Sequence, residues 1–316
     1  MLDLQAQHGA GSLVLGGNVF GWTANEEQSF AVLDRFLERG GKMVDTADGY
    51  SHWVPDHKGG ESEEVIGRWL ASRGAHGRMT VATKVSTHPE YSGLDPLNVR
   101  RAAEASLGRL GVETIDLYWA HFDDPDTPIV ETAAAFSDLK REGKIGAIGL
   151  SNYSAERVAE WFEVARAENL ELPVALQPHY NLVERDYETN GLRAVAETES
   201  LKVFPYFALA AGFLTGKYRS ANDAEAEGAS PRAGGALQYL DARGEKVLAA
   251  LDSVAATHEA QVAAVALAWL RQQPTITAPI ASARTLEQLE VLGESVRLEL
   301  SDAELTSLTE ASSTAA

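Results

Sequence analysis

Alternation constrains this chain more than any other feature. Short apolar runs of strand length recur between amphipathic helical stretches from one end to the other. The runs are Leu13–Leu15, Lys42–Thr46, Thr80–Val85, Ile115–His121, Gly146–Leu150, Val174–Gln177, Lys202–Tyr206 and Thr277–Ala281. Between them, Glu26–Arg39 repeats Phe30, Leu33, Phe36 and Leu37 at three- and four-residue spacing, which lays one apolar stripe along a helix. Glu63–Ser72 does the same with Val65, Ile66, Trp69 and Leu70, and Ala155–Glu168 with Val158, Trp161, Phe162 and Ala165. Asp95-Pro96 and Thr127-Pro128 each predict an N-cap followed by proline at the first helical position. Ser301 with Glu304 predicts a capping box, and Gly111 and Gly143 fall where helices should stop.

Repeated strand–helix units call for a parallel sheet, because each strand must return to the same end through a crossover. Such a sheet is either open and doubly wound or closed into a barrel. No Gly-x-Gly-x-x-Gly follows the first strand, as an open dinucleotide-binding sheet requires. The 316 residues, 45% of them hydrophobic, suit one large core without a polar or Pro/Gly-rich linker near the middle. The expectation is an α/β fold, a single (β/α)8 TIM barrel over residues 1–316, with its chemistry just beyond the C-terminal ends of the strands.

Charge and composition narrow the partners. Acidic residues outnumber basic ones 46 to 27, for a net charge of −19 with no basic cluster, which argues against a nucleic-acid partner. Without cysteine there is no disulfide, thiolate nucleophile or cysteine-based metal site, and no metal is expected. No apolar stretch reaches transmembrane length, and the opening MLDLQAQHGAGSLVLGG lacks the basic region and long apolar run of a signal peptide. The expected setting is therefore the cytoplasm, with no membrane partner. The acidity also sets a condition: an anionic ligand must be held by strong local cations.

The strand ends meet the barrel's prediction. They carry Gly16-Gly17-Asn18, Asp45, Lys84, His121, Ser151-Asn152, Gln177, Tyr206 and Ser282–Arg284. Any one of these reads equally well as a turn or a cap, but a purely structural barrel has no need of polar groups at nearly every end. Asp45, Lys84 and His121 end consecutive strands, and Tyr50 follows in the loop Asp48-Gly49-Tyr50. Reduction of a carbonyl by hydride needs a proton donor to the developing alkoxide. A phenol is a reluctant acid, and an adjacent ammonium is expected to lower its pKa. Asp45 supplies the counter-ion that a buried lysine needs, and His121 can hydrogen-bond the carbonyl oxygen. Lys84 alone would equally suit a phosphate-binding barrel isomerase or lyase, as base or Schiff-base nucleophile. Tyr50, Asp45 and His121 would be redundant there.

These residues lie in segments that resemble the aldo-keto reductase family. The match is carried by Val44-Asp45-Thr46-Ala47-Asp48-Gly49-Tyr50, Ala82-Thr83-Lys84 and Ile115-Asp116-Leu117-Tyr118-Trp119-Ala120-His121. It continues through Ile148-Gly149-Leu150-Ser151-Asn152 and Gln177-Pro178-His179-Tyr180-Asn181 to Gly212-Phe213-Leu214-Thr215-Gly216-Lys217-Tyr218 and Ala278-Pro279-Ile280 before Arg284. The resemblance implies an oxidoreductase that passes hydride reversibly between NADPH and an aldehyde or ketone, with Asp45, Tyr50, Lys84 and His121 catalytic and Tyr50 the general acid. It also implies a monomer acting on a small-molecule carbonyl substrate. The family includes non-catalytic NADPH-binding regulatory subunits on the same barrel, such as potassium-channel β subunits; with no appended N-terminal segment visible, the enzyme is the expectation here.

For the cofactor, the resemblance implies extended NADP(H). Ser151, Asn152 and Gln177 would hold the nicotinamide carboxamide, and Tyr206 would stack on the ring. Phe207, Leu209, Gly212, Leu214 and Lys217 fall in the segment lining the pyrophosphate. Ser282, Arg284 and Gln288 open a helix after the eighth strand, where backbone donors and a guanidinium fork suit a 2′-phosphate. Thr285 with Gln288 reads equally as a capping box. The chain departs from the family at Phe207, where a small polar residue is usual, at Leu292, where an asparagine often faces adenine, and in a shortened N-terminal hairpin near Gln7–Gly11. Trp22 and Trp53 are candidates for the substrate wall, whereas Trp119, two positions before His121, reads as core. His52, His57 and Lys58 read as a solvated loop, and the Ala- and Gly-rich Ala221–Gln238 as a mobile loop before the next helix.

Overall fold

The computed structural model describes residues 13–226 and 230–313. Eight strands form one sheet: β1 (Val14–Gly16), β2 (Met43–Asp45), β3 (Thr80–Val85), β4 (Ile115–Ala120), β5 (Ile145–Ser151), β6 (Ala175–Gln177), β7 (Lys202–Val203) and β8 (Ile280–Ala281). Their order is β8-β1-β2-β3-β4-β5-β6-β7, and every neighbouring pair is parallel. The two ends meet. Val203 bridges to Ile276, the Thr277 N–H donates to the Val203 carbonyl at 2.8 Å, and the Ile280 N–H donates to the Pro205 carbonyl at 2.9 Å. With helices wrapped outside, the sheet is a (β/α)8 barrel.

Regular pairing in β7 and β8 is shorter than Lys202–Tyr206 and Thr277–Ala281 predict. Pro205 and Pro279 interrupt these runs, and proline has no N–H to give to a ladder. The chain nevertheless keeps its course, since the Phe204 and Tyr206 N–H groups donate to Leu176 and Pro178 at 2.9 and 3.0 Å.

Alternation along each strand sorts its side chains into two cores. Val14, Met43, Ala82, Leu117, Trp119, Ala147, Ala175, Phe204, Ala278 and Ile280 fill the barrel, and a larger cluster lies between sheet and helices. Two residues beyond an inward position is again inward. Met43 therefore leads to Asp45, Ala82 to Lys84, Trp119 to His121, Ala175 to Gln177 and Ile280 to Ser282, and the polar ends ring the barrel's rim. Trp119 is fully buried, as expected, and it fits because its register partner is Gly149, where a Cβ would lie 2.2 Å from the indole.

Most helix punctuation follows the sequence. Asp95 caps Pro96–Leu110 by accepting from Leu97 and Asn98, Ser301 and Glu304 form the reciprocal box, and Gly111 and Gly143 take φ values of 65° and 77° after their helices. Thr127 departs from expectation: its hydroxyl donates to Asp124 at 2.9 Å, and the helix Ile129–Arg141 starts behind Pro128 without a side-chain cap. The expected loop Ala221–Gln238 contains two short helices, Ala221–Glu225 and Ala233–Leu237. The first has a Ser220–Asp223 capping box, and alanine's high helix propensity favours both. Gln7–Gly11 lies outside the described residues. Among the described residues, no helix is long and apolar enough to cross a membrane.

Candidate active site

At the rim, β2 and β3 bring Asp45 and Lys84 together beneath the loop that carries Tyr50. Lys84 is fully buried, and its ammonium donates to the Asp45 carboxylate, to the Thr46 carbonyl at 2.7 Å and to the Tyr50 hydroxyl at 3.0 Å. All three of its protons thus find acceptors. Gln177 donates to the other Asp45 oxygen at 3.1 Å, reaching across the barrel from β6. The Tyr50 loop is tied down at both ends. The Asp48 N–H donates to the Lys84 carbonyl at 3.2 Å, and the Glu61 carboxylate accepts from Ser51 Oγ at 3.1 Å and from the Lys58 N–H at 2.6 Å. His52 belongs to this scaffold, with Nδ1 2.7 Å from the Gly49 carbonyl.

Burial sets the ionisation of the group. By itself it would strip Lys84 of its proton, but Asp45 and Tyr50 more than reverse that, and the ammonium's pKa stands above its ordinary value. Tyr50 corrects a sequence expectation. Burial raises its pKa and Lys84 pulls it back only in part, so the net direction is upward. The ammonium offsets burial here; it does not produce an unusually acidic phenol. His121 is driven well below its ordinary value by burial, with the Lys84 charge adding to it, so the imidazole is neutral. Its ring lies 6.2 Å from the Tyr50 ring, and its Nδ1 is 3.4 Å from Thr87 Oγ1.

Asp45, Tyr50 and His121 open onto a cleft of about 800 Å³, with Lys84 just beneath. That volume lies within the range of small-molecule sites. On one wall, Asn152 (φ 57°) donates to the His121 carbonyl at 2.8 Å and accepts from Tyr206 Oη at 2.7 Å, while Ser151 donates to the Gln177 carbonyl at 3.0 Å. Tyr206 is backed by His179, with ring centroids 5.2 Å apart and planes 22° apart. Phe207 is half exposed at φ 54°, and its carbonyl accepts from Asn181 at 2.9 Å. Leu209, Gly212 and Lys217 also line the cleft. Leu214 does not. It is fully buried and its N–H donates to the Leu209 carbonyl at 3.2 Å, so it offers the cleft nothing.

Beyond β8, Ser282 donates to Asn18 Oδ1 at 2.7 Å. Gln288 has the capping role: its Oε1 accepts from the Arg284 N–H at 2.9 Å, and its own N–H donates to Thr285 Oγ1 at 3.3 Å. Leu292 lines the cleft as an apolar surface. The Arg284 guanidinium has no ion pair among the described residues, although it stands in the cleft of a strongly acidic protein at the start of the helix Leu286–Arg297. An unpaired cation at a helix N-terminus is a fitting receptor for phosphate.

Trp22 and Trp53 meet edge to face at 5.7 Å on the opposite wall. Among the lining residues that escaped the sequence reading as site residues, Phe122, Asn18 and Arg232 carry most of the consequence. Phe122, immediately after His121, is half exposed and packs on its ring at 4.9 Å. Asn18 was visible as a strand end but not as the partner of Ser282. Arg232 enters from the stretch read as a loop, and no local pattern marks it.

The Aldo/keto reductase family model matches residues 12–313. Protein tas of Escherichia coli (strain K12) is 31% identical, the match covering 92% of this chain and 91% of tas. Norsolorinic acid reductase stcV of Emericella nidulans is 33% identical over 93% of this chain and 76% of its own length. Aldo-keto reductase YhdN of Bacillus subtilis (strain 168) is 32% identical over 90% of this chain and 83% of its own. With the family's pattern running through the barrel and its rim, the chain belongs to the aldo/keto reductase family.

Proposed function

We propose that this protein is an NADPH-dependent carbonyl reductase in which Tyr50 donates the proton. The observation that carries the reading is the contact between the buried Lys84 ammonium and the Tyr50 hydroxyl, 3.0 Å apart at the mouth of the cleft. When bound, NADPH would supply hydride to the carbonyl carbon. The remaining work falls to the chain's own groups. As negative charge builds on the carbonyl oxygen, Tyr50 passes it a proton, and Lys84 stabilises the phenolate left behind. Asp45 keeps Lys84 charged, and Gln177 and the barrel wall keep Asp45 in place. His121, neutral because of its burial, donates a hydrogen bond to the substrate oxygen without competing as an acid. Together hydride and proton convert an aldehyde or ketone to the alcohol, and the reverse reaction uses Tyr50 as the base.

The cleft's donors fit the cofactor. Ser151, Asn152 and Gln177 offer the amide and hydroxyl groups a carboxamide needs, Tyr206 offers an aromatic face, and Arg284 and Lys217 offer cations for phosphate. An intact set of Asp45, Tyr50, Lys84 and His121 favours catalysis over a purely regulatory role. The test is NADPH oxidation across short aldehydes, α-ketoaldehydes, aryl ketones, sugars and pyridoxal. Turnover of at least one class is expected, and NADPH binding without turnover of any would overturn the reading.

A further inference from the structure

Arg232 is a charge in the cleft that the reduction leaves unused. It lines the same space as Tyr50, His121 and Trp53. Its guanidinium carbon lies 4.9 Å over the Trp22 ring, and Nη2 donates to the Asn18 carbonyl at 3.3 Å. Several half-buried arginines elsewhere in this protein hold carboxylates: Arg109 pairs with Glu63, Arg157 with Asp123 and Arg185 with Glu188. Arg232 has no such partner among the described residues, despite an acidic excess of 46 to 27. The titratable groups that act on it inside the cleft are Tyr50, whose phenol is neutral, and Arg284, which repels it.

A half-buried cation without a counter-ion is costly, and among the described residues this cleft keeps two. Arg284, at the start of the helix after β8, suits a phosphate of the cofactor. Arg232 rests on Trp22, which meets Trp53 edge to face, and it lines the same cleft as Tyr50, which is the substrate's side under the proposed reaction. The cation–π contact with Trp22 and the Asn18 carbonyl, which occupies one N–H, restrain the guanidinium and leave its other donors for a planar, two-oxygen acceptor.

We infer that Arg232 binds a carboxylate of the substrate, so that this protein prefers carbonyl compounds bearing an anionic group to neutral ones of the same shape. The inference rests on the carbonyl-reductase reading above. Arg232 takes no part in hydride or proton transfer; it positions the acid so that the carbonyl lies at Tyr50.

The test uses the full chain and NADPH with a short series of ω-oxo carboxylates and their carboxamides. Wild type should favour the best acid over its amide by at least about tenfold in kcat/KM, through a lower KM. Arg232→Gln should erase most of that ratio, Arg232→Lys should restore part of it, and NADPH affinity by fluorescence titration should stay with wild type. Equal efficiency on acids and amides in wild type overturns the inference and leaves the reductase reading standing. Loss of NADPH affinity in Arg232→Gln, with the ratio unchanged, assigns the arginine to the cofactor pyrophosphate and also overturns it. Absence of turnover on every carbonyl removes the reductase reading and this inference with it.

Discussion

The Lys84 ammonium lies 3.0 Å from the Tyr50 hydroxyl, and it is held there by Asp45 and the Thr46 carbonyl from below. The contact links stability to chemistry, because the charge that would stabilise a phenolate is itself sustainable only while its carboxylate is present.

Lys84→Met removes one partner of a fully buried pair and leaves Asp45 without its cation. Breaking such a pair costs about 3–5 kcal/mol. A lower urea midpoint and a fall in carbonyl turnover of at least about a hundredfold are expected together. Wild-type turnover in this variant would contradict the electrostatic role.

The pH dependence follows from two directions. His121 has a folded-state pKa well below its unfolded value, because burial and Lys84 disfavour the imidazolium. Between those two values the unfolded chain binds the extra proton. The contribution to stability is therefore complete above about pH 6.5 and is lost as pH falls toward the folded value. Reduction needs the Tyr50 proton, which is present below its raised pKa, so the alkaline fall in rate should lie above about pH 10. A rate profile in the reductive direction, paired with an NMR titration of His121, checks both. An acid limb near pH 6.5 that vanishes in His121→Gln would contradict the neutral imidazole.

Arg284→Ala removes the cleft cation at the start of the helix Leu286–Arg297. NADPH affinity should fall by about 10–100-fold, the worth of a charged hydrogen bond, with NADH affinity changing by no more than about threefold. Equal weakening of both cofactors, measured by fluorescence titration, would remove the 2′-phosphate from this arginine.

Gly149→Ala places a methyl group 2.2 Å from the fully buried Trp119 indole. Overpacking of this kind costs about 1–3 kcal/mol, read as a lower thermal midpoint. An unchanged midpoint would mean that the barrel interior yields more easily than its packing implies.

Much of this site was legible because strands alternate. Once Met43, Ala82, Trp119 and Ala175 are taken as inward, Asp45, Lys84, His121 and Gln177 must be inward too, one step nearer the rim. What escaped depends on path and distance. Arg232 belongs to a stretch whose Ala- and Gly-rich composition does not encode where it folds back, and Leu214 lies in a segment whose lining and buried residues no periodicity separates. The balance at Tyr50 between burial and Lys84 turns on atomic spacing, and so the sign of its shift could not be read from residue types. Pro205 and Pro279 were visible, but an extended apolar run masked their effect on pairing in β7 and β8.

The central claim is tested most directly by Tyr50→Phe, which keeps the ring and removes only the hydroxyl. Two quantities are needed on the same preparation: NADPH consumption with the best carbonyl substrate, and NADPH affinity by fluorescence titration. Loss of a general acid predicts a fall in turnover of about 10²–10⁴-fold with affinity within about twofold of wild type. Turnover that survives the substitution would contradict the account.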